Sequence, residues 1–351
     1  MESGGELARC LLNLVAYASL HALIPSIGAR LGVPRLAGLL AGLAMALVPI
    51  HKSAEVMRGW DEPYSALAFA GLLVWTAALW EEGWQGRFNA VKYGLCWGLL
   101  FHAAPTTVLT YAGLGAVACY RAVRSAPSLR WWLISTATIG LVLIPWTLRN
   151  HDRMGQWMFM RSNLGLELQQ AYNDLAQPTV ALNRLTGSVS THPLFSADER
   201  RRVALLGEVA YNRSKRQEAF SWIKDHPGRF VQLTIGHIQQ FWLGWFETPG
   251  GLTFVFTATT FLAWAGLWRM FRNGATVTAQ VLLISWVTFP TVYYFFQYVN
   301  RYRVVIDWSF TLIAAYFIHE AVLVPLTIGK PSLRAAARLS GPVVEPFGKR
   351  T

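Results

Sequence analysis

The sequence predicts an all-α polytopic membrane protein, with about eight to nine membrane helices or half-helices and one outer helical domain. Composition and patterning carry the prediction. Of 351 residues, 53% are hydrophobic and only 14% are charged, against roughly a quarter charged in soluble domains. The apolar residues gather in stretches close to the ~20 that a helix needs to cross a bilayer. The short loops between them are rich in Lys and Arg, the mark of cytoplasmic loops.

The same composition excludes disordered, collagen-like and disulfide-scaffold chains. A net charge of +12 would point to nucleic acid in a soluble protein. In a membrane protein it reads as orientation-setting loop charge, and no nucleic-acid partner is expected. Cys10, Cys96 and Cys119 lie in or beside apolar stretches. No CxxC or Cys/His spacing is present, so neither disulfide nor zinc is expected. There is no metal motif, which leaves the cofactor undefined and a divalent cation open. Residues 1–9 carry two glutamates and no basic n-region, so no cleavable signal peptide is expected.

The elements follow in order. Residues 1–148 form an N-terminal membrane unit, with apolar stretches at 11–29, 36–50, 64–80, 93–120 and 131–148. Pro105 removes a backbone donor and disfavours helix in the residue before it. The 93–120 stretch is therefore read as two short helices meeting at residues 102–105. Residues 149–229 are the large polar region. Within it, Ser196 and Glu199 have capping-box spacing. An amphipathic helix is expected from there to about Asp225, stopped by Pro227. Residues 230–250 read as an interfacial amphipathic helix, aromatic on one side and carrying Gln and His on the other. Residues 251–328 hold three further stretches, at 251–268, 277–298 and 308–328, and 329–351 form a basic tail.

Charge counting orients the chain. With the tail cytoplasmic, the turns holding Arg269 and Arg272, Arg121 to Arg130, Arg87 and Lys92, and Arg30 and Arg35 fall on the same side. Region 149–229 is then outside, and so is the N-terminus. No internal repeat is visible, and one outer domain makes the chain asymmetric. Both features argue against a transporter built from related halves and for an enzyme at the outer face.

Several motifs occur in a fixed order. PWTLRN (145–150) ends a span, and RSNLG (161–165) follows it. Tyr172-Asn173, His192-Pro193, GEVAY (207–211), Asp225 to Pro227 and Phe241-Trp242 come next, and YVNRYR (298–303) stands near the end. This series, spread over residues 10–328, resembles the bacterial GT-C glycosyltransferases, the superfamily of protein mannosyltransferases and lipid A aminoarabinose transferases. The resemblance implies a GT-C-like membrane fold in the bacterial inner membrane, with the large loop periplasmic and the C-terminus cytoplasmic. It implies a polyprenyl-phosphate-linked sugar as donor and transfer to an acceptor at the outer face. That chemistry needs a carboxylate to activate the acceptor hydroxyl, and cations to hold the leaving phosphate. The start of the chain is similar to the family's second membrane helix. The family's first helix, and the first outer loop with its acidic residue, have no counterpart here.

The resemblance assigns Glu62 and Asp61, in the WDEP run (60–63), to a carboxylate site facing the cavity. Their plainer role is to favour the start of the next helix. Arg301, Tyr302 and Arg303 are expected to bind lipid phosphate, as is Arg149. A guanidinium matches phosphate oxygens in bidentate fashion, but each Arg also suits interfacial anchoring. Arg161, Asn163 and Asn173 are expected to contact sugar or acceptor, or to hold turns. His319 and Glu320, adjacent on one helix, are expected to face different ways, and Arg200 to Arg202 to form a solvated face. Trp242 and Trp245 stand out from the interfacial tryptophans by their place near the outer domain. Two other classes remain: a non-catalytic lipid-binding or partner relative lacking the catalytic loop, and a transporter of lipid-linked saccharide.

Overall fold

The computed structural model describes residues 2–48, 60–122, 127–245 and 250–328. The basic tail 329–351 and the loop charges Lys52, Arg58 and Arg124 lie outside the described residues.

Among the described residues the regular elements are all helices, and six of them are long and apolar enough to cross a membrane. That is the pattern of a multi-pass membrane protein. Helix α1 is Glu2–Arg30 and α2 is Arg35–Leu47. Helices α3 (Glu62–Glu82), α4 (Arg87–Ala103) and α5 (Val108–Ala122) follow. Helix α6 is Pro127–Met154. The polar region holds α7 (Leu164–Ala171), α8 (Val180–Thr186), α9 (Ala197–Leu206) and α10 (Glu208–Asp225). Then come α11 (Pro227–Leu243), α12 (Gly250–Arg272) and α13 (Thr276–Thr288), which runs into a 3₁₀ segment at Phe289–Phe295. Helix α14 (Arg301–Ile318) passes through a π turn at His319–Leu323 into α15 (Val324–Ile328). The expected count of eight to nine exceeds six by α2, α4 and α5. These have 13, 17 and 15 residues, short against the ~20 needed to span.

Helix α14 is the centre of the bundle. It packs on α12, α2, α3 and α1, and every residue from Arg303 to Tyr316 is buried. A helix apolar nearly all round is stable only when it is surrounded. Helices α4 and α5 pack against α6 and are separated by the expected break, a 3₁₀ turn at Pro105–Thr107.

The helix ends define two ends of the bundle. Helices α3 and α14 both begin at the end that carries the polar region, joined there by Glu62 and Arg301. At the other end Arg121 reaches Gln280 and lies over Trp80, and Arg269 reaches the Glu320 carbonyl. Arg121 and Arg269 thus lie opposite the polar region.

Three expectations need correction. The helix expected from residue 196 to about Asp225 is two helices, because Gly207 takes φ +75° and ψ 159°, a conformation that L side chains rarely adopt. The Ser196 cap itself is present and accepts from the Glu199 amide at 3.3 Å. The last long helix starts at Arg301 rather than near residue 308, and the RYR run opens it instead of closing the span before. Finally, His319 and Glu320 do not diverge. The wider π turn winds them less far apart, and His319 Nδ1 meets Glu320 Oε1 at 3.0 Å.

Helix α11 begins at Pro227, three residues before the aromatic stretch, and buries Leu233, Gly236, His237, Gln240 and Phe241. It packs on the 3₁₀ segment, where Trp242 Nε1 donates to the Tyr294 hydroxyl at 2.8 Å and His237 Nδ1 lies 3.2 Å from the Tyr294 carbonyl. Trp245 stays half-exposed.

Candidate functional site

Residues far apart in sequence meet where the polar region joins the bundle. Helix α3 starts there because Pro63 fits the first turn, where its missing N–H is no loss, and Glu62 suits the positive end of the helix. Asn13 of α1 donates to the Trp60 carbonyl at 2.9 Å and fixes the approach to α3. Helix α14 is held at the same level by the polar region. Tyr298 N donates to the Pro178 carbonyl at 2.9 Å, Val180 N donates to Tyr298 at 3.2 Å, and Asn183 Nδ2 donates to Gln297 Oε1 at 2.6 Å. This splice sets Arg301 three residues beyond Tyr298.

The centre is an ion pair between Arg301 Nη1 and Glu62 Oε1 at 2.7 Å. A cation in the first turn of a helix is disfavoured by the backbone dipoles, so Arg301 needs an acidic partner. Its guanidinium also lies 4.1 Å from the centre of the Trp60 ring, a cation–π contact. Among the described residues Glu62 is its hydrogen-bond partner, so most of the five N–H donors of the guanidinium remain open. Tyr302 stacks on Tyr293 at 4.4 Å, and the Tyr293 hydroxyl is 2.9 Å from that of Thr106 in the 3₁₀ turn after α4.

The segment after α6 brings the second arginine. Arg161 Nη2 donates to the Ala103 carbonyl at 3.1 Å and lies 3.9 Å from Asp61 Oδ2. Both side chains are more than a third exposed, so this is a loose pair of small energetic value. Asn163 precedes α7 and donates to Glu167 Oε1 at 3.1 Å. Glu167 faces Arg301 and Arg161. Burial pushes its carboxyl above the usual carboxylate range, and the two arginines oppose that only in part. Helix α7 is pressed onto α10 at Gly165, where any β-carbon would overlap the Asn212 carbonyl, and the Leu166 amide donates to Asn212 Oδ1 at 3.2 Å.

Six of the residues expected from sequence therefore share one place: Asp61, Glu62, Arg161, Asn163, Arg301 and Tyr302. Three do not. Arg303 points the other way and is fully enclosed. Its Nε donates to Asp307 at 2.9 Å, Nη1 to the carbonyls of Phe241 and Trp242 at 3.1 and 3.2 Å, and Nη2 to Thr260 at 2.8 Å. It lies between the rings of Phe256 and Phe310. With these donors spent on protein acceptors it ties α14 to α11 and α12, and the phosphate role expected for it does not fit. Arg149 is exposed at the end of α6, beside Trp146 and Asn150, which suits an interfacial anchor. Asn173 holds a turn. Its Nδ2 donates to the Gln169 carbonyl at 2.9 Å, and its Oδ1 accepts from the Leu175 amide and the Ser188 hydroxyl.

Sequence reasoning passed over Glu167, Tyr293 and Trp60. Glu167 had a signal: it stands four residues after Asn163, one helical turn on, within the first turn of α7. Tyr293 had none, being one aromatic among many. A groove of about 530 Å³ lined by Leu129, Arg130, Leu133, Ile134 and Ala137 lies at the opposite end of α6 and takes no part in this cluster.

Chemically, the site offers three carboxylates, two guanidiniums, an amide and stacked phenols where the polar region meets the bundle. The first turns of α3, α7 and α14 all contribute, and helix N-termini favour anions. Among the described residues no group of three or more His, Cys, Asp or Glu is placed to hold a metal ion. In comparisons with known proteins, no family model matches the chain, and neither a curated protein nor a solved structure does.

Proposed function

We propose that this chain is a membrane glycosyltransferase, moving a sugar from a polyprenyl-phosphate donor to an acceptor at the outer face of the bacterial inner membrane. On this reading region 149–229 is periplasmic and the basic turns are cytoplasmic, in keeping with the distribution of Lys and Arg. The observation that carries the proposal is the Glu62–Arg301 pair at 2.7 Å with Asp61 and Arg161 beside it. It joins three stretches that the resemblance had singled out separately. Arg301 and Arg161 hold the donor phosphate, for which their planar guanidiniums are suited. The carboxylates serve the acceptor hydroxyl and the developing charge on the sugar. Tyr302 and Trp60 form the aromatic wall of the site, and Asn163 sets the third carboxylate.

The test is reconstitution of the full chain in phosphatidylcholine vesicles with radiolabelled polyprenyl-phosphate hexoses and pentoses. The proposal expects label to leave the lipid fraction, and Arg301→Ala or Glu62→Gln to slow that by at least about tenfold, since each such group is worth some 10²-fold or more in catalysis. Binding of polyprenyl phosphate without cleavage of any donor would favour the non-catalytic lipid-binding reading. Movement of intact donor between leaflets would favour the transporter.

A further inference from the structure

The proposed site holds three carboxylates, and its chemistry needs one of them to take a proton from the acceptor hydroxyl. Their surroundings differ. Glu62 is committed to Arg301 at 2.7 Å, so its Oε1 is already held by a guanidinium rather than open to an acceptor hydroxyl. Asp61 stands at the rim, with its side chain 36% exposed and facing Arg161 at 3.9 Å. Glu167 differs from both. Its direct hydrogen bond among the described residues comes from a neutral amide, Asn163 Nδ2, at 3.1 Å.

The groups around Glu167 come from each neighbouring element. Arg301 and Tyr302 face it from α14, and Arg161 faces it from the segment before α7. From α10, Glu208 is occupied by the Ser162 hydroxyl, Asn212 accepts from the Leu166 amide, and Arg216 approaches Gly165 with its backbone. The seat of α7 on α10 at Gly165 fixes the backbone that carries Glu167, and Asn163 Nδ2 holds its Oε1 at 3.1 Å, the preorganisation that proton transfer requires.

We propose that Glu167 is the general base of the transfer. This rests on the glycosyltransferase reading above and deepens it. As the acceptor oxygen bonds to the anomeric carbon, its proton passes to a Glu167 oxygen. The bond from that carbon to the phosphate oxygen breaks, and its electron pair stays on the phosphate, which Arg301 and Arg161 hold. Glu167 then returns its proton to water. A carboxyl raised toward the working pH by burial is the stronger base for this step.

The experiment follows the release of label from a polyprenyl-phosphate hexose by the full chain in vesicles, as pH is lowered from about 8 to 5. The wild-type rate is expected to fall through an acid limb. Glu167→Gln is expected to slow release by about 10²-fold or more, with the limb gone and donor KM changed by less than about twofold. Glu167→Asp is expected to keep the limb and part of the rate. A hydrophobic carbodiimide, which attacks protonated carboxyls, should label Glu167 in the wild-type protein, and this readout needs neither turnover nor a variant that folds. Glu167→Gln with an unchanged rate and limb overturns the base assignment while leaving the glycosyltransferase reading intact. Absence of carbodiimide label on Glu167 overturns it as well. A wild-type chain that releases label from no donor overturns the reading and the assignment together.

Discussion

Arg303 and Arg301 are two residues apart, and the structure gives them opposite kinds of work, so replacing each by Met should give opposite phenotypes. The Arg303 side chain is 0% exposed and that of its partner Asp307 is 6% exposed. Arg303→Met removes the guanidinium that meets Asp307 inside the bundle. Breaking one side of a buried pair costs about 3–5 kcal/mol. The lost contacts to the Phe241 and Trp242 carbonyls and to Thr260 lie within that figure, since such terms are not additive. At about 2 °C per kcal/mol for a chain of this size, the melting midpoint should drop by roughly 6–10 °C. Arg303→Met with Asp307→Leu removes both charges and should recover most of the loss, because an ion pair replaced by packed apolar groups is often neutral or better. Arg301→Met should cost only about 1–2 kcal/mol, because its side chain is 24% exposed and water partly replaces the pair with Glu62. That variant should instead lose binding of polyprenyl phosphate. Tryptophan fluorescence of the detergent-solubilised chain during heating reads the midpoint, and vesicle flotation with labelled polyprenyl phosphate reads binding. The reasoning is refuted if Arg301→Met melts as low as Arg303→Met, or if Arg303→Met melts like wild type and loses only binding.

Other outcomes follow from the polar region. Gly207→Ala forces a β-carbon into a backbone conformation that strongly favours glycine, and should cost about 1–3 kcal/mol, read as faster hydrogen exchange in α9 and the start of α10. Gly165→Ala should push α7 off α10 and lower donor turnover more than it lowers the melting midpoint, measured side by side. Glu199 and Glu218 pack around Lys215 at 3.1 and 3.2 Å. Burial alone would raise both carboxyls. For Glu199 the Tyr211 hydroxyl and Lys215 outweigh burial, and for Glu218 Arg202 and Lys215 do, so both sit below the ordinary value of 4.5. A depressed carboxylate contributes stability above its unfolded value and loses it as pH falls through its folded value. The protection of amides in α9 and α10, measured relative to their intrinsic exchange rates, should therefore fall as pH is lowered below 4.5, and Lys215→Met should flatten that dependence.

Much of the architecture was legible because it rests on local physics. The proline break before α5, the Ser196 cap and the stop at Pro227 each follow from a missing donor or a satisfied one, and the structure has helix ends at all three. The stretch after Pro227 was legible as an amphipathic helix from its mixed aromatic and amide composition, and a helix runs there to Leu243. Gly207 was read as part of a helix because glycine inside a helical pattern is common enough, and nothing local announces a positive φ. The co-location of Asp61, Arg161 and Arg301 could not be read from spacing at all. It depends on the splice between Thr179 and Tyr298, and one isolated bridge leaves no periodic trace in either segment.

The misreading of Arg303 is the more instructive, because the information was present. Taken as a loop motif, Arg301 and Arg303 look like two hands on one phosphate. Taken as the first turn of a helix, residues two apart point about 200° from each other, and they cannot share a ligand. What decides between these is where the helix starts. Hydropathy placed the start after Asp307, since two charged residues weigh against a membrane helix. But Arg303 and Asp307 are four apart, the spacing at which opposite charges meet on one helical face, and the pair forms at 2.9 Å. A charge met within its own helix no longer argues against burial of that helix. The same Arg–Asp spacing that hydropathy counted against the helix is what lets α14 begin at Arg301 and carry that arginine, alone of the two, to Glu62.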